Sequence, residues 1–278
     1  MSRTVIPIDE AFFNDGYWYV LSSTSLGGSQ YTAKEVADIL QVPLGSDAGG
    51  HSDADGAIAQ LQSLLGRGVC LPLYFPADCS LDDSVVVLGD LSDREEAEWL
   101  GRLQGKLEIP CGEFVVMGGS LEEDLEVMTK HFTAPNPHFQ FFQKIKVAPG
   151  TYLVEVYAFL GSTTVNELID CELIKPKHLT AAEQALVNEP LDQWWNRTRP
   201  QEPHPPWLVN YLEEGYVDCE QDDGDGDGDL VEYIIRLTPA QGEIPVPPLD
   251  PEVHWCGVFE MRKPDRCPQG LRRRDLLA

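Results

Sequence analysis

The sequence predicts an α+β fold, in which a mainly antiparallel, hairpin-rich sheet packs against about five helices. Three features of the chain support this class: repeated helix-start signals, short apolar runs of strand length, and two strand pairs joined by Gly/Pro turns. Because parallel neighbours need long crossover connections, the short turns favour antiparallel pairing. A doubly wound parallel sheet is therefore not expected.

Four helix starts carry a capping box, in which Ser or Thr is followed three residues later by Glu. The four boxes are Thr32–Glu35, Ser92–Glu95, Ser120–Glu123 and Thr180–Glu183. The apolar spacing after the second box predicts a helix that buries Trp99, Leu100 and Leu103. A further helix is predicted over residues 54–65, with Gly66 as its stop.

Eight apolar runs of strand length lie between these helices or follow them. They span residues 17–22, 69–75, 84–89, 113–118, 139–147, 151–160, 230–238 and 255–261. Segments 106–117 and 144–155 also align without gaps, at an offset of 38 residues. Both have the order strand, Gly/Pro turn, strand, which predicts two β-hairpins in similar settings.

The length of the chain permits one large domain or two smaller ones. We expect an N-terminal α+β lobe over residues 1–130 and a C-terminal β-rich lobe over 131–278, with one continuous domain as the alternative. The second lobe contains a Pro- and Trp-rich segment at 190–207. Because proline disfavours helix interiors, this segment is predicted to be an extended connector that its tryptophans attach to the body.

The chain carries a formal net charge of −26, with 46 acidic and 20 basic side chains. Such a surface repels nucleic acid and anionic membranes, and it favours cations or basic partners. A basic tail, residues 262–278, ends this acidic chain. We expect the tail to dock on the acidic body or on a neighbouring subunit. Since exposed ion pairs contribute little, Leu276 and Leu277 are predicted as its apolar anchor.

A cytoplasmic location is predicted from two features. No apolar run approaches the roughly 18 residues that span a bilayer, and Asp9 and Glu10 precede any stretch of signal-peptide length. The seven cysteines are odd in number, widely spaced and free of C-x-x-C motifs. They are expected to be reduced thiols rather than a disulfide framework.

Enzyme signatures for nucleophile elbows, P-loops, zinc proteases and dinucleotide-binding turns do not occur in the sequence. Residues 31–42 are similar to the first helix of a helix-turn-helix domain, but the segment that follows opens with acids and brings only Arg67. DNA binding is therefore rejected, because base and phosphate contacts need basic side chains. The sequence favours a non-enzymatic acidic binding or regulatory protein with a basic protein partner. Two alternatives stay open: an inhibitor- or immunity-type protein that covers a basic partner's site, and an enzyme with an unrecognised site.

The acidic stretch that precedes the last long strand is a candidate calcium loop. Asp223, Asp225 and Asp227 match positions 1, 3 and 5 of a D-x-D-x-D-G loop, and Asp229 would offer its carbonyl at position 7. Position 12 lacks the usual bidentate Glu, for which Glu232 is the nearest substitute, so weak Ca²⁺ binding is expected. A flexible acidic connector is the alternative, because glycines and like charges also keep a segment extended and solvated.

Residues 70–119 together with 147–162 resemble a conserved but uncharacterised protein family found in cyanobacteria. The resemblance brings no catalytic residues and no cofactor. It implies a soluble cytoplasmic protein and does not choose between the functional alternatives.

If the acidic loop binds calcium, millimolar Ca²⁺ should raise the melting temperature, since binding to the native state alone adds about 2.7 kcal/mol at a hundredfold excess over Kd. Mg²⁺ should raise it less, because Mg²⁺ demands stricter octahedral geometry. The double substitution Asp223→Asn with Asp225→Asn should remove most of the Ca²⁺ effect. Calorimetric titration that shows no heat, together with equal thermal responses to both ions, would instead establish the connector.

Overall fold

The structure, a computed structural model, describes residues 3–8, 16–41, 54–79, 81–118, 142–169, 179–217, 229–247, 249 and 259–278. Within these residues it contains helices and two mainly antiparallel sheets, which confirms the α+β class. None of the helices in this described part is both long and apolar enough to cross a bilayer.

Ten strands form the two sheets of the described chain. They are β1 (Thr4–Pro7), β2 (Gly16–Ser23), β3 (Cys70–Cys79), β4 (Val85–Leu88), β5 (Gly101–Ile109), β6 (Glu113–Gly118), β7 (Phe142–Lys146), β8 (Gly150–Ala158), β9 (Tyr233–Pro239) and β10 (Glu260–Met261). The six-stranded sheet has the order β1-β4-β9-β8-β5-β10, and the four-stranded sheet has the order β3-β2-β6-β7. Only the β4–β9 pair is parallel among the strand pairs of the described residues.

Eight α-helices lie in the described residues. They are α1 (Ala33–Gln41), α2 (Ala54–Arg67), α3 (Asp93–Glu98), α4 (Thr163–Ile169), α5 (Ala181–Val187), α6 (Leu191–Thr198), α7 (Pro206–Glu214) and α8 (Arg273–Leu277). The capping boxes predicted at Thr32, Ser92 and Thr180 all form, each with the Glu side chain accepting from the backbone N–H of the cap residue. The box predicted at Ser120–Glu123 lies outside the described residues.

The helix predicted to bury Trp99, Leu100 and Leu103 is wrong beyond Glu98. Trp99 is the C-cap of α3 with extended backbone, and Leu103 lies on β5. Residues 101–109 alternate strictly between buried and half-buried side chains. This period of two is the pattern of a half-buried strand, and it competes with the helical spacing over the same residues.

The two predicted hairpins, 106–117 and 144–155, do not form. The two strands of each segment enter different sheets, because β5 pairs with β8 in one sheet and β6 pairs with β7 in the other. Each segment is therefore an arch between the sheets. A short Gly/Pro turn is compatible with either geometry, so the local sequence did not distinguish an arch from a hairpin.

The two arches pair with each other on both sides of the bend, and the register is the same on the two sides. The partners around the bend are Ile109–Gly150, Gly112–Val147 and Glu113–Lys146, of which the middle one is a 3.0 Å bond from the Val147 N–H to the Gly112 carbonyl. The two segments thus form one bent antiparallel ribbon, which we call the bent ribbon (101–118 with 142–158). It contributes two neighbouring strands to each sheet.

The main core lies between the facing sides of the two sheets, where alternate residues of the bent ribbon are buried. The sheets approach closely at Gly105, where an added Cβ would lie 2.7 Å from Cδ1 of Leu71. Any larger side chain at residue 105 would therefore displace the buried Leu71 side chain of β3. The helices α1 and α2 extend the same core with Val36, Leu40 and Leu61.

Both sheets combine strands from residues 1–130 with strands from 131–278. A boundary near residue 130 would separate hydrogen-bonded neighbours such as β6 and β7.

The Pro- and Trp-rich segment 190–207 is not an extended connector, which corrects that prediction. It contains α6 and the start of α7, with Pro190 as the N-cap of α6 and Pro206 as the first residue of α7. At these positions proline replaces an N–H that a helix leaves unpaired, so it is compatible with the helix. The three tryptophans of the segment are buried in the main core, as expected: Trp194, Trp195 and Trp207.

The basic tail, residues 262–278, docks on the acidic body of its own chain, as predicted. Lys263 Nζ lies 2.8 Å from a carboxylate oxygen of Glu189, and Arg266 lies 2.5 Å from Glu202. These ion pairs connect the tail to the turn between helices α5 and α6 and to the turn that follows α6.

The apolar anchor of the tail differs from the prediction. Leu271 is 1% exposed and packs on the outer side of the six-stranded sheet, in a cluster with Val85, Tyr157 and Ile234. Leu276 only partly joins this cluster, and Leu277 is 44% exposed. Leu271 therefore takes the role that the sequence analysis gave to Leu276 and Leu277.

Replacement of Leu271 by Ala should lower the free energy of unfolding by about 3 kcal/mol, because a buried leucine is truncated and leaves a cavity. The matched control is Leu277→Ala, which truncates an exposed leucine of the same tail and should change stability little. Urea denaturation of both variants measures the difference. Equal midpoints for the two variants would show that Leu271 does not anchor the tail.

Candidate functional site

A buried carboxylate, Glu155, lies at the centre of the outer side of the six-stranded sheet. Side chains at odd positions of β8 point to this outer side, because those at even positions fill the main core. The strand register places Gln104 of β5 and Arg236 of β9 directly beside Glu155. Gln104 donates its side-chain amide to Glu155 over 2.7 Å, and Arg236 donates from Nη1 over 2.9 Å. Glu155 is only 3% exposed, so water cannot solvate its charge. The hydrogen bonds and the ion pair within the protein compensate that charge instead.

Two arginines flank Glu155, and both have a second acidic partner at the surface. Arg236 donates to Asp90 over 2.6 Å, and Arg102 donates to Glu260 over 2.7 Å. Arg102 also lies 3.7 Å from Glu155. The positive charge of each guanidinium is therefore balanced by protein carboxylates, which makes these arginines weak attractors for an anionic ligand.

Two adjoining cavities, one on this side of the sheet and one at its β10 edge, are together called the outer groove. One cavity measures about 320 Å³ and the other about 370 Å³, and both are lined by Gln104 and Pro245. Carboxylate residues contribute to the lining: Asp90, Glu183, Glu243 and Glu260. Apolar residues contribute as well: Leu153, Ile244, Val246, Phe259 and Met261. Two arginines, Arg102 and Arg236, also line the groove, so it combines an apolar surface with four carboxylates against two guanidinium groups.

The described cysteines are mostly poor nucleophiles. Burial raises the pKa of the Cys70 and Cys267 thiols to about 12. Burial also raises the pKa of Cys79, and the nearby Glu232 carboxylate adds to this shift. At the exposed Cys111, partial burial opposes ionisation, but hydrogen bonds with Ser25 and Thr24 outweigh it and lower the pKa.

The predicted calcium ligands are only partly within the described residues. Asp223, Asp225 and Asp227 lie outside them. Asp229 accepts the backbone N–H of Arg273 at its carbonyl over 3.1 Å. This is the carbonyl that was predicted to coordinate calcium, so it also has a role in docking the tail.

Glu232, the other predicted ligand that is described, has its carboxylate 3.7 Å from the Cys79 thiol, which donates to it. Its carbonyl accepts the Phe159 N–H over 2.9 Å. The described residues contain no group of three His, Cys, Asp or Glu side chains that could hold a metal ion. Calcium binding by the loop stays a prediction.

Glu155, Gln104 and Arg236 are not among the site residues predicted from the sequence. One signal was present, because Glu155 is the single charged residue in the apolar run 151–160. A charge within a buried strand requires a partner, and this favours a paired site. The partner could not be identified, since Arg236 is 81 residues away in the sequence.

A second surface feature lies on helix α7 and the turn after it. Val209 is 42% exposed, Leu212 is 53% exposed and Tyr216 is 48% exposed. Val209 and Leu212, three residues apart, lie on one side of the helix, and Tyr216 follows the C-cap Gly215. Glu213 and Glu214 are exposed beside them. We call Val209, Leu212 and Tyr216 the α7 stripe.

No family model and no curated protein matches the sequence. A solved structure titled "Crocagin biosynthetic gene J" aligns with 87% of this chain and 100% of its own, with a TM-score of 0.37 and 12% sequence identity. A likeness of this degree assigns neither a fold family nor a function. The resemblance to a cyanobacterial family also stays a prediction.

Substitution of Glu155 by Gln should lower the free energy of unfolding by about 3 kcal/mol, since it breaks a buried ion pair and leaves two arginines with less compensating charge. The matched control is Asp90→Asn, which removes the other, 91% exposed carboxylate partner of Arg236. The control should lose much less, because exposed ion pairs contribute little. Chemical denaturation of both variants gives the comparison, and similar losses would contradict the central role of Glu155.

Proposed function

We propose that the chain is a non-enzymatic binding protein whose acidic surface recognises a basic protein partner. The observation that carries this proposal is that the basic side chains are paired with acidic side chains of the same chain. Within the described residues, eleven Lys and Arg side chains form ion pairs with acids of the same chain. Because acids outnumber bases by 26, this pairing leaves the surplus negative charge facing outward.

The sign of the surface charge determines which partners the chain attracts. A strongly negative surface accelerates the approach of basic molecules and disfavours anionic ones. The arginines beside the outer groove do not reverse this preference, since Glu155 and the surface acids Asp90 and Glu260 balance them. A basic protein is therefore a better partner than a nucleic acid or an anionic metabolite.

The groups near the outer groove also favour binding over catalysis. Glu155 is held by hydrogen bonds from Gln104 and Arg236, so proton transfer between its carboxylate and a ligand would first require breaking this network. Burial, followed by the effect of Glu155, raises the pKa of the neighbouring Tyr157 to about 12. Its hydroxyl is therefore harder to ionise than that of an ordinary tyrosine.

The experiment captures partners on the immobilised chain from a lysate of the organism that makes it, and then purifies each retained protein. We expect at least one basic protein to form a stoichiometric complex with the pure chain. Its Kd should rise steeply between about 0.05 and 0.5 M salt, since screening weakens exposed charge interactions. An unrelated protein of similar net charge is the control for nonspecific retention.

Two results would overturn the proposal. One is that no purified basic protein binds the chain better than it binds the acidic control. The other is a purified complex whose affinity does not change with salt.

A further inference from the structure

We propose that the outer groove receives an extended basic segment of a protein partner, with its arginine or lysine heads at the acidic rim and its apolar stems on the floor. The inference rests on the proposed function, since it names the surface and the form in which the basic partner is recognised. Three independent features carry it: the shape of the groove, the distribution of its charges, and the way in which the chain already binds its own basic tail.

The groove has the size and composition of a ligand site. Its two cavities, about 320 and 370 Å³, each fall in the lower range of typical ligand pockets. They adjoin at Gln104 and Pro245, so a segment in extended conformation can contact both. Leu153 and Phe259 provide apolar surface against which the methylene stems of arginine or lysine can pack.

The charges of the groove select a cationic ligand. Glu243 is exposed, and within the described residues no ion pair involves it. Asp90 is paired with Arg236 on one side, but its side chain remains 91% exposed. These carboxylates can accept hydrogen bonds from a guanidinium or ammonium group, and such charge-assisted bonds are the stronger ones.

The basic tail shows how this face of the sheet accepts a basic segment. The tail covers the apolar end of the outer side, beside the groove. There Leu271 packs in one cluster with Val85 and Ile234. Its basic residues bond to the surrounding body: Arg262 donates to the Trp99 carbonyl over 2.9 Å. The groove occupies the remaining part of the same face and offers the same combination of apolar floor and acceptor rim.

The α7 stripe is the competing surface, and it is less suited to the role. It consists of two side chains on a nine-residue helix and one in the turn that follows it. A specific interface usually buries about 800 Å² per partner, and three side chains supply only a small part of this. The stripe therefore serves as the comparison in the test.

The probe is a fluorescein-labelled octapeptide that alternates arginine and leucine, and a peptide that alternates glutamate and leucine is its control. We expect the full chain to bind the first peptide and not the second, by fluorescence anisotropy at about 0.15 M salt. Glu243→Lys should weaken binding at least tenfold. The matched control, Glu213→Lys beside the α7 stripe, makes the same charge change at another exposed position and should weaken binding less than twofold.

Several outcomes would overturn the groove assignment while leaving the proposed function intact. Equal losses in the two variants would show that only the overall field attracts the peptide, and a larger loss in Glu213→Lys would assign the α7 surface instead. A salt-sensitive complex with a purified basic partner that Glu243→Lys does not weaken would also exclude the groove. The proposed function itself fails only if no salt-sensitive complex with a basic protein forms.

Discussion

The register of the bent ribbon is the constraint on which the rest of the structure depends. Residues 101–117 face 142–158 without a shift, although the ribbon leaves one sheet and enters the other at its bend. A slip by one residue would turn every side chain of β5 or β8 to the opposite side of the sheet. Glu155 would then point into the main core, and Gln104 would no longer lie beside it. The outer groove exists because this register is maintained.

The outer side of the six-stranded sheet is divided between two environments. One end is apolar and covered by the tail, with Leu271 in its cluster, whereas the neighbouring central part carries Glu155, Arg102 and Arg236. A buried ion pair contributes uncertainly to stability, since desolvation opposes the Coulomb attraction. Its contribution to specificity is clearer here. Any alternative pairing of β5, β8 and β9 would separate Glu155 from its donors and leave a buried charge without compensation.

The sequence was sufficient for features that depend on neighbouring residues. Capping boxes at Thr32, Ser92 and Thr180 use atoms three residues apart, and the α+β class follows from the alternation of such helices with apolar runs. Features that depend on distant residues were not predictable in this way. The short Gly/Pro turns predict hairpins where the structure has arches. The sheet that each strand enters is decided by partner strands far along the chain, which the local sequence does not show.

The candidate site illustrates the same limit. Glu155 could be recognised from sequence as a charge in an apolar strand, but its partners Gln104 and Arg236 come from two other strands. The tail was a mixed case: its docking follows from charge, which is a property of the whole chain. Its anchor at Leu271 depends on a cluster assembled from β4, β8 and β9.

The tail and a bound partner segment would respond differently to salt, although both are basic segments on the same acidic face. The tail belongs to the chain, so its effective concentration near the body is high even when ion pairs such as Lys263–Glu189 are screened. Leu271 also contributes apolar burial, which salt does not screen. A separate basic segment is not covalently connected to the chain, and its charged groups at the rim are not buried. Its encounter with the groove would therefore depend on the surplus negative charge. Salt should therefore weaken the proposed binding of such a segment, while the tail, and with it the sheet face that forms the groove, remains in place.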